Sequence, residues 1–280
     1  MHVTTNPPCR GELVVVGTGI NFGQLTLEAK AEIEHADLVL SAVPNGVMAD
    51  YLTQCNANIA SLTAYYGDGR TRPQTYAAMT KRMVEETLSG KRVCAVFYGH
   101  PGVFVTASHA AIHYLTKCGV RTRLLPGVSA ADCLFADLAI DPSHHGLVMH
   151  EATSFLMAAR TIDPNMDMLL WQIGILGDFS LQQYQPGHNA MALLQNILLQ
   201  SFPPDHRLCL YEAATLPGFA PRIDWFELRD LLQQKTKSYS TLYIPAVDLP
   251  DLAEDRMAML GLSDADLAIF ALDPTSTIVA

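Results

Sequence analysis

Apolar and polar residues alternate along this chain with two different periods. Short apolar runs that stop at glycine or proline read as buried strands, and runs with apolar residues three and four apart read as helices. "ELVVVGTG" (12–19) is a strand that feeds a tight turn, and "LTLEAKAEIEHAD" (25–37) sets Leu25, Ala29, Ile33 and Ala36 on one helical face. "LVLSAV" (38–43) and "NIASL" (58–62) are further strands, with a helix between them at 47–55. The clearest helix is 73–90: Pro73 takes a first-turn position and Gly90 follows the last turn. A strand at 93–102, a helix at 106–119, a strand at 120–127 and a helix at 129–140 complete this half, with Ser129 as an expected N-cap.

The second half is less regular. Strands are expected at 146–150, 167–174, 207–213 and 241–246, and helices at 187–201 and 251–260. Strands that alternate with helices predict βαβ units and a mainly parallel sheet. The fold class is α/β. The expected organisation is a loose tail (1–10), an N-terminal α/β domain (11–122), a C-terminal α/β domain (123–250) and a C-terminal helix and tail (251–280).

Composition narrows the partners. The 280 residues are 49% hydrophobic, enough for real cores, and the net charge is −10. An acidic chain argues against nucleic acid, whose phosphates need Lys and Arg. No apolar run approaches the roughly 18–20 residues of a membrane span, and the N-terminus lacks a signal-peptide pattern. The six cysteines are scattered without a CxxC pair, which predicts a cytoplasmic protein with no disulfide and no metal.

Sheets of this kind bind ligands beyond the carboxyl ends of their strands. Three glycine turns stand there: "GTGINFG" (17–23), "YGHPGVF" (98–104) and "PGVSA" (126–130). The first spaces its glycines at 17, 19 and 23, which is not the dinucleotide pattern. In the third, Ala131 stands where a nucleophile elbow needs glycine, so Ser129 reads as a cap. Tyr98 and His100 end one strand, and Trp171, Gln172, Tyr211 and Glu212 end others. Gln172 and the backbone near Ala213 suit a flat heterocycle. The loop "YYGDGRTRPQTY" (65–76) gathers three tyrosines and two arginines.

The order "VVVGTG", "VFYGHPGVF", "LLPGVSA", "LLWQIG", "YEAATLP", "STLYIP" resembles the tetrapyrrole methylase superfamily of S-adenosylmethionine enzymes. Within it the chain is most similar to the borosin α-N-methyltransferases, which methylate backbone amides of a peptide. "YGHPGVF" and the Arg-x-x-x-Tyr of the loop carry that narrower likeness. Ile20-Asn21 and His100 depart from the Pro and Asp of ring methylases. The short stretch after "TLYIP" looks like the split bacterial form, whose substrate is a separate precursor peptide.

The resemblance implies two α/β domains with S-adenosylmethionine in the cleft between them, a homodimer, and iterative N-methylation. It places Tyr98, His100, Val103, Thr106, Gln172, Ala213, Ser240 and Thr241 on the cofactor, helped by Ser129 and Ala130. It makes Tyr66, Arg72, Tyr76 and Tyr98 the catalytic group. An amide nitrogen is a poor nucleophile because its lone pair is delocalised into the carbonyl. Arg72 would stabilise the charge that moves to oxygen, and Tyr76 or Tyr98, acidified by a guanidinium, would take the proton. Tyr65 and Arg70 read as a solvated face. Competing readings are a tetrapyrrole- or corrin-type small-molecule methylase, an inactive cofactor-binding scaffold, and self-methylation of the tail "IFALDPTSTIVA".

Overall fold

The computed structural model describes residues 11–44, 46–66, 69–179, 185–247 and 253–263. The expected tail at 1–10 and the last residues, 264–280, lie outside the described residues.

The first half builds a five-stranded sheet from β1 (Glu12–Gly17), β2 (Leu38–Ala42), β3 (Ile59–Ser61), β4 (Arg92–Phe97) and β5 (Arg121–Leu124). Their order is β3-β2-β4-β1-β5, and every pairing is parallel. β1 is apolar from Leu13 to Val16 because both its faces are covered there. Leu13 and Val15 join one core with Met79 and Met83 of α3 (Arg72–Leu88) and Ala111 and Leu115 of α4 (Thr106–Lys117). Val14 and Val16 join the other, with Ile33 of α1 (Leu27–Glu34) and Leu52 of α2 (Gly46–Cys55). β5 pairs with β1 from Arg121 to Leu124, so the first sheet crosses the boundary expected at 122/123.

The chain then enters the second half through α5 (Ala130–Leu138). The second sheet holds β6 (Leu147–Glu151), β7 (Asp167–Trp171), β8 (Arg207–Glu212), β9 (Arg222–Glu227) and β10 (Thr241–Ile244), in the order β6-β7-β10-β8-β9. α5 covers one face and α6 (Ala152–Met157) with α7 (His188–Leu198) the other. α8 (Glu254–Leu260) follows. Only β6–β7 is parallel; the other three pairings are antiparallel. The mainly parallel expectation therefore holds for the first sheet and fails for the second. The stretch between β8 and β9 forms no helix, so the chain returns antiparallel instead of crossing over. β9 and α6 are additions to the expected elements.

The glycine turns lock β1 to β4. Gly19 and Gly99 exchange backbone hydrogen bonds at 3.3 and 3.0 Å. A Cβ on Gly17 would lie 2.1 Å from the Gly99 carbonyl oxygen, so only glycine permits this approach. These glycines bring two turns together. The Gln24 side-chain oxygen accepts from the backbone N–H of Ile20 and Asn21, and its amide donates to Cys133 Sγ at 3.4 Å. That bond ties the first turn to α5.

Candidate active site

The tyrosine–arginine loop is anchored at both ends. Thr71 caps α3, and its N–H donates to Gln74 Oε1 at 2.9 Å, closing a capping box. Pro73 falls in the first turn, as the sequence predicts. Arg72 and Tyr76 are four residues apart and so share a helix face. Tyr65, Tyr66 and Tyr76 are half-buried against the core that contains Leu62, Met79, Phe97 and Ala107. Gly67 of the loop lies outside the described residues, whereas Gly69 has the left-handed φ of +68°. The Arg70 guanidinium stacks 5.5 Å from the Tyr65 ring centroid. Tyr65 and Arg70 thus engage each other, which corrects the solvated-face expectation.

Arg72 reaches across to the second half. Its backbone N–H donates to the Phe179 carbonyl at 2.9 Å, and its Nη1 donates to Glu151 Oε1 at 3.3 Å. The two side chains keep only 12% and 14% of their exposure. Arg72 Nε and Nη2 are buried and have no hydrogen-bond partner among the described residues. These two nitrogens form one edge of the planar guanidinium, with parallel N–H bonds. A buried, unpaired donor edge is costly unless a ligand fills it. Glu151 ends β6 and caps α6 by accepting from the Ser154 N–H at 2.7 Å. Burial disfavours its charge, but hydrogen bonds from Ser154 and the Arg72 cation outweigh that and hold its carboxyl below the ordinary range.

Tyr98 directly follows Phe97, the last residue of β4, and is half-buried. Burial, with Cys133 and Tyr239 adding to it, pushes its phenol up to about 12. His100 accepts from the Gly102 N–H through Nδ1 at 3.0 Å, which holds the turn; Val103 is half-buried beside it and Thr106 is exposed at the start of α4. Phe104 has φ +54° and its ring packs 5.7 Å from Trp171 of the second sheet. Gln172 is also left-handed, at φ +59°. Strained non-glycine residues of this kind mark functional sites. The Trp171 Nε1 is buried and has no hydrogen-bond partner among the described residues.

The remaining predicted residues are more structural. Ser129 caps α5, with its hydroxyl 2.7 Å from Asp132 Oδ2, as the sequence predicts, and Ala130 opens the helix. Ser240 is fully buried and donates to Glu212 Oε1 at 2.7 Å, so its hydroxyl is already committed. Thr241 is buried in β10 opposite Tyr211, and Ala213 is half-buried after β8. Glu212 is 5% exposed and also accepts from Arg222 and Lys237, each at 2.8 Å. Burial opposes its charge, yet Lys237, Ser240 and Arg222 together hold its carboxyl below the usual range. Glu151 escaped sequence reasoning because no local pattern marks a partner 79 positions from Arg72.

Comparison with known proteins gives the family and the fold. The chain matches the family Tetrapyrrole (Corrin/Porphyrin) Methylases over residues 12–222. A methyltransferase/ribosomally synthesized type III borosin cyclic peptide precursor of Anomoporia bombycina is 41% identical over 266 residues, 92% of this chain and 31% of the relative. The methyltransferase/dendrothelin A precursor of Dendrothele bispora is 38% identical over 257 residues, 89% of this chain and 61% of the relative. The chain therefore spans less than two thirds of the length of these relatives. Uroporphyrin-III-C-methyltransferase from Thermus thermophilus shares the fold at a TM-score of 0.61 and 23% identity, over 88% of this chain and 99% of that one. With its paired α/β sheets and a family match over most of its length, the chain belongs to the tetrapyrrole methylases, and its cofactor is S-adenosylmethionine.

Proposed function

We propose that the chain N-methylates backbone amides of a separate ribosomal precursor peptide, iteratively, as a homodimer. The observation that carries this reading is the buried, unpaired Nε–Nη2 edge of Arg72 beside two half-buried tyrosines. The names of its relatives, which join a methyltransferase to a cyclic peptide precursor, support the peptide as substrate class. The separate precursor rests on the sequence resemblance.

When bound, S-adenosylmethionine supplies an electrophilic methyl group. In this reading Tyr98, His100, Val103 and Thr106 hold it from the first half. Gln172, Ala213 and the backbone of Ser240 and Thr241 hold it from the second, with Ser129 and Ala130 alongside. The local chemistry fits such a guest. Tyr98, Phe104 and Trp171 offer aromatic faces to a cation, and the unpaired Trp171 Nε1 offers a donor to a heterocycle.

An amide resists methylation until charge has moved from nitrogen to oxygen. The free edge of Arg72 places two N–H donors where one oxygen can accept both, in a buried setting where each is worth more than in water. Tyr66 and Tyr76 orient the same peptide unit. In this reading the phenolate oxygen of Tyr76, on the helix face of Arg72, or that of Tyr98 takes the amide proton.

The test is intact-mass and fragmentation analysis after incubation with S-adenosylmethionine and an apolar synthetic peptide. Methyl increments on the peptide's backbone nitrogens are expected. Increments confined to this chain would replace the in-trans reading with self-methylation, and turnover of a tetrapyrrole without any of the peptide would end the peptide reading. A monomer by light scattering during turnover would remove the homodimer.

A further inference from the structure

We infer that Glu151 is a positioning residue for Arg72: it clamps Nη1 so that the opposite Nε–Nη2 edge faces the reacting amide. The inference rests on the peptide reading above and adds a residue from the other half of the chain. A guanidinium with little exposure is costly to bury alone, and here a single carboxylate oxygen answers a single nitrogen. The carboxylate is itself fixed. Its second oxygen accepts from the Ser154 N–H, and its strand neighbour in register is Trp171. Arg72 is held from a second direction, by its backbone bond to the Phe179 carbonyl. Rotation of the guanidinium would break the Glu151 bond and turn the open edge away. The geometry thus divides five N–H donors between a clamp and a free edge.

The same contact joins the two halves of the chain. Arg72 opens the helix that also carries Tyr76, and Glu151 ends a strand of the second sheet. Breaking the clamp should loosen the orientation of Arg72 while leaving cofactor binding intact.

The experiment compares wild type, Glu151→Gln, Arg72→Ala and the double variant, each as full chain. Glu151→Gln keeps the shape and removes the charge; its melting temperature reports folding. Its kcat on the peptide should fall at least about tenfold, with KM for S-adenosylmethionine within about twofold. Added guanidinium chloride should restore part of the activity of Arg72→Ala but none in the double variant, because Glu151 is needed to hold the free cation. A merely structural Glu151 would not produce that dependence. The Arg72 Nε–H signal in 15N NMR, assigned by its loss in Arg72→Lys, should be restrained in wild type and averaged in Glu151→Gln. Wild-type kcat in Glu151→Gln, equal rescue of both Ala variants, or an unchanged Nε–H signal would overturn the inference. If wild type methylates no peptide, the peptide reading fails, and the NMR comparison still decides the role of Glu151.

Discussion

Two of the ionic groups among the described residues contrast, one open and one closed. Around Glu212 every charge is answered: its carboxylate accepts from Arg222, Lys237 and Ser240, and Arg222 also reaches the Lys235 carbonyl and Asp224. Around Arg72 one nitrogen is answered by Glu151 and two buried ones are not. Both groups link segments far apart in sequence. A saturated network holds a structure in one arrangement, whereas an unsaturated donor edge stores binding capacity for something absent from the chain itself. On the proposed reading, the difference puts stability at Glu212 and chemistry at Arg72.

The largest effect should come from the open group. Arg72→Ala should lower methyl transfer by a factor of about a hundred or more, the scale of losing a preorganised donor at a developing oxyanion. Calorimetric affinity for S-adenosylmethionine should stay within a few-fold. Wild-type turnover in this variant would erase the distinction between the two groups.

Next is the wall of the closed group. A Cβ at Gly174 would sit 1.8 Å from the Lys237 carbonyl oxygen, a backbone atom that cannot step aside cheaply. Gly174→Ala should destabilise the fold by about 3 kcal/mol or more in urea titrations. Stability near wild type would mean that the 237–240 turn is looser than its bonds imply.

Glu212→Gln should cost about 2–3 kcal/mol, because it leaves Arg222 and Lys237 facing a neutral group. Lys237 is exposed enough for water to absorb part of the loss. The pH dependence has a defined sign. A carboxyl held below its unfolded value contributes fully above the ordinary glutamate range, and the contribution fades as pH falls through the folded value. Acid unfolding curves of Glu212→Gln should therefore be flatter than those of wild type, and parallel curves would show the cluster to be inert.

The smallest effect is Ser240→Ala, at about 1 kcal/mol for one hydrogen bond to a charged group that keeps other partners. The variant should retain methyl transfer, measured at saturating cofactor. A large loss of cofactor affinity at unchanged stability would assign the hydroxyl to ligand binding instead.

Much of the fold was legible because its cause is local. The strand at Leu13–Val16 is apolar on both faces and ends in glycine, so its burial and its turn both show in a few letters. The helix at 72–88 declares itself by Pro73, Thr71 and its periodic core positions. β9 did not show, because "RIDWFE" is half polar and becomes a strand only by pairing with β8. α6 has six residues, too few for a period to emerge. The antiparallel character of the second sheet is a matter of which distant strands meet, and β10 inserting between β7 and β8 leaves no local mark.

The candidate site divides the same way. The family resemblance of the sequence nominated Tyr66, Arg72 and Tyr76, and the proline-started helix sets Arg72 and Tyr76 on one face. Tertiary structure decided the rest. It set Tyr98 in half-buried surroundings that raise its phenol, committed Ser240 to Glu212, and brought Glu151 against Arg72. The chain's own letters fix the chemical groups and their near neighbours, because those follow from backbone periodicity. Which donors stay unpaired depends on contacts across 79 positions, and only the folded chain can make them.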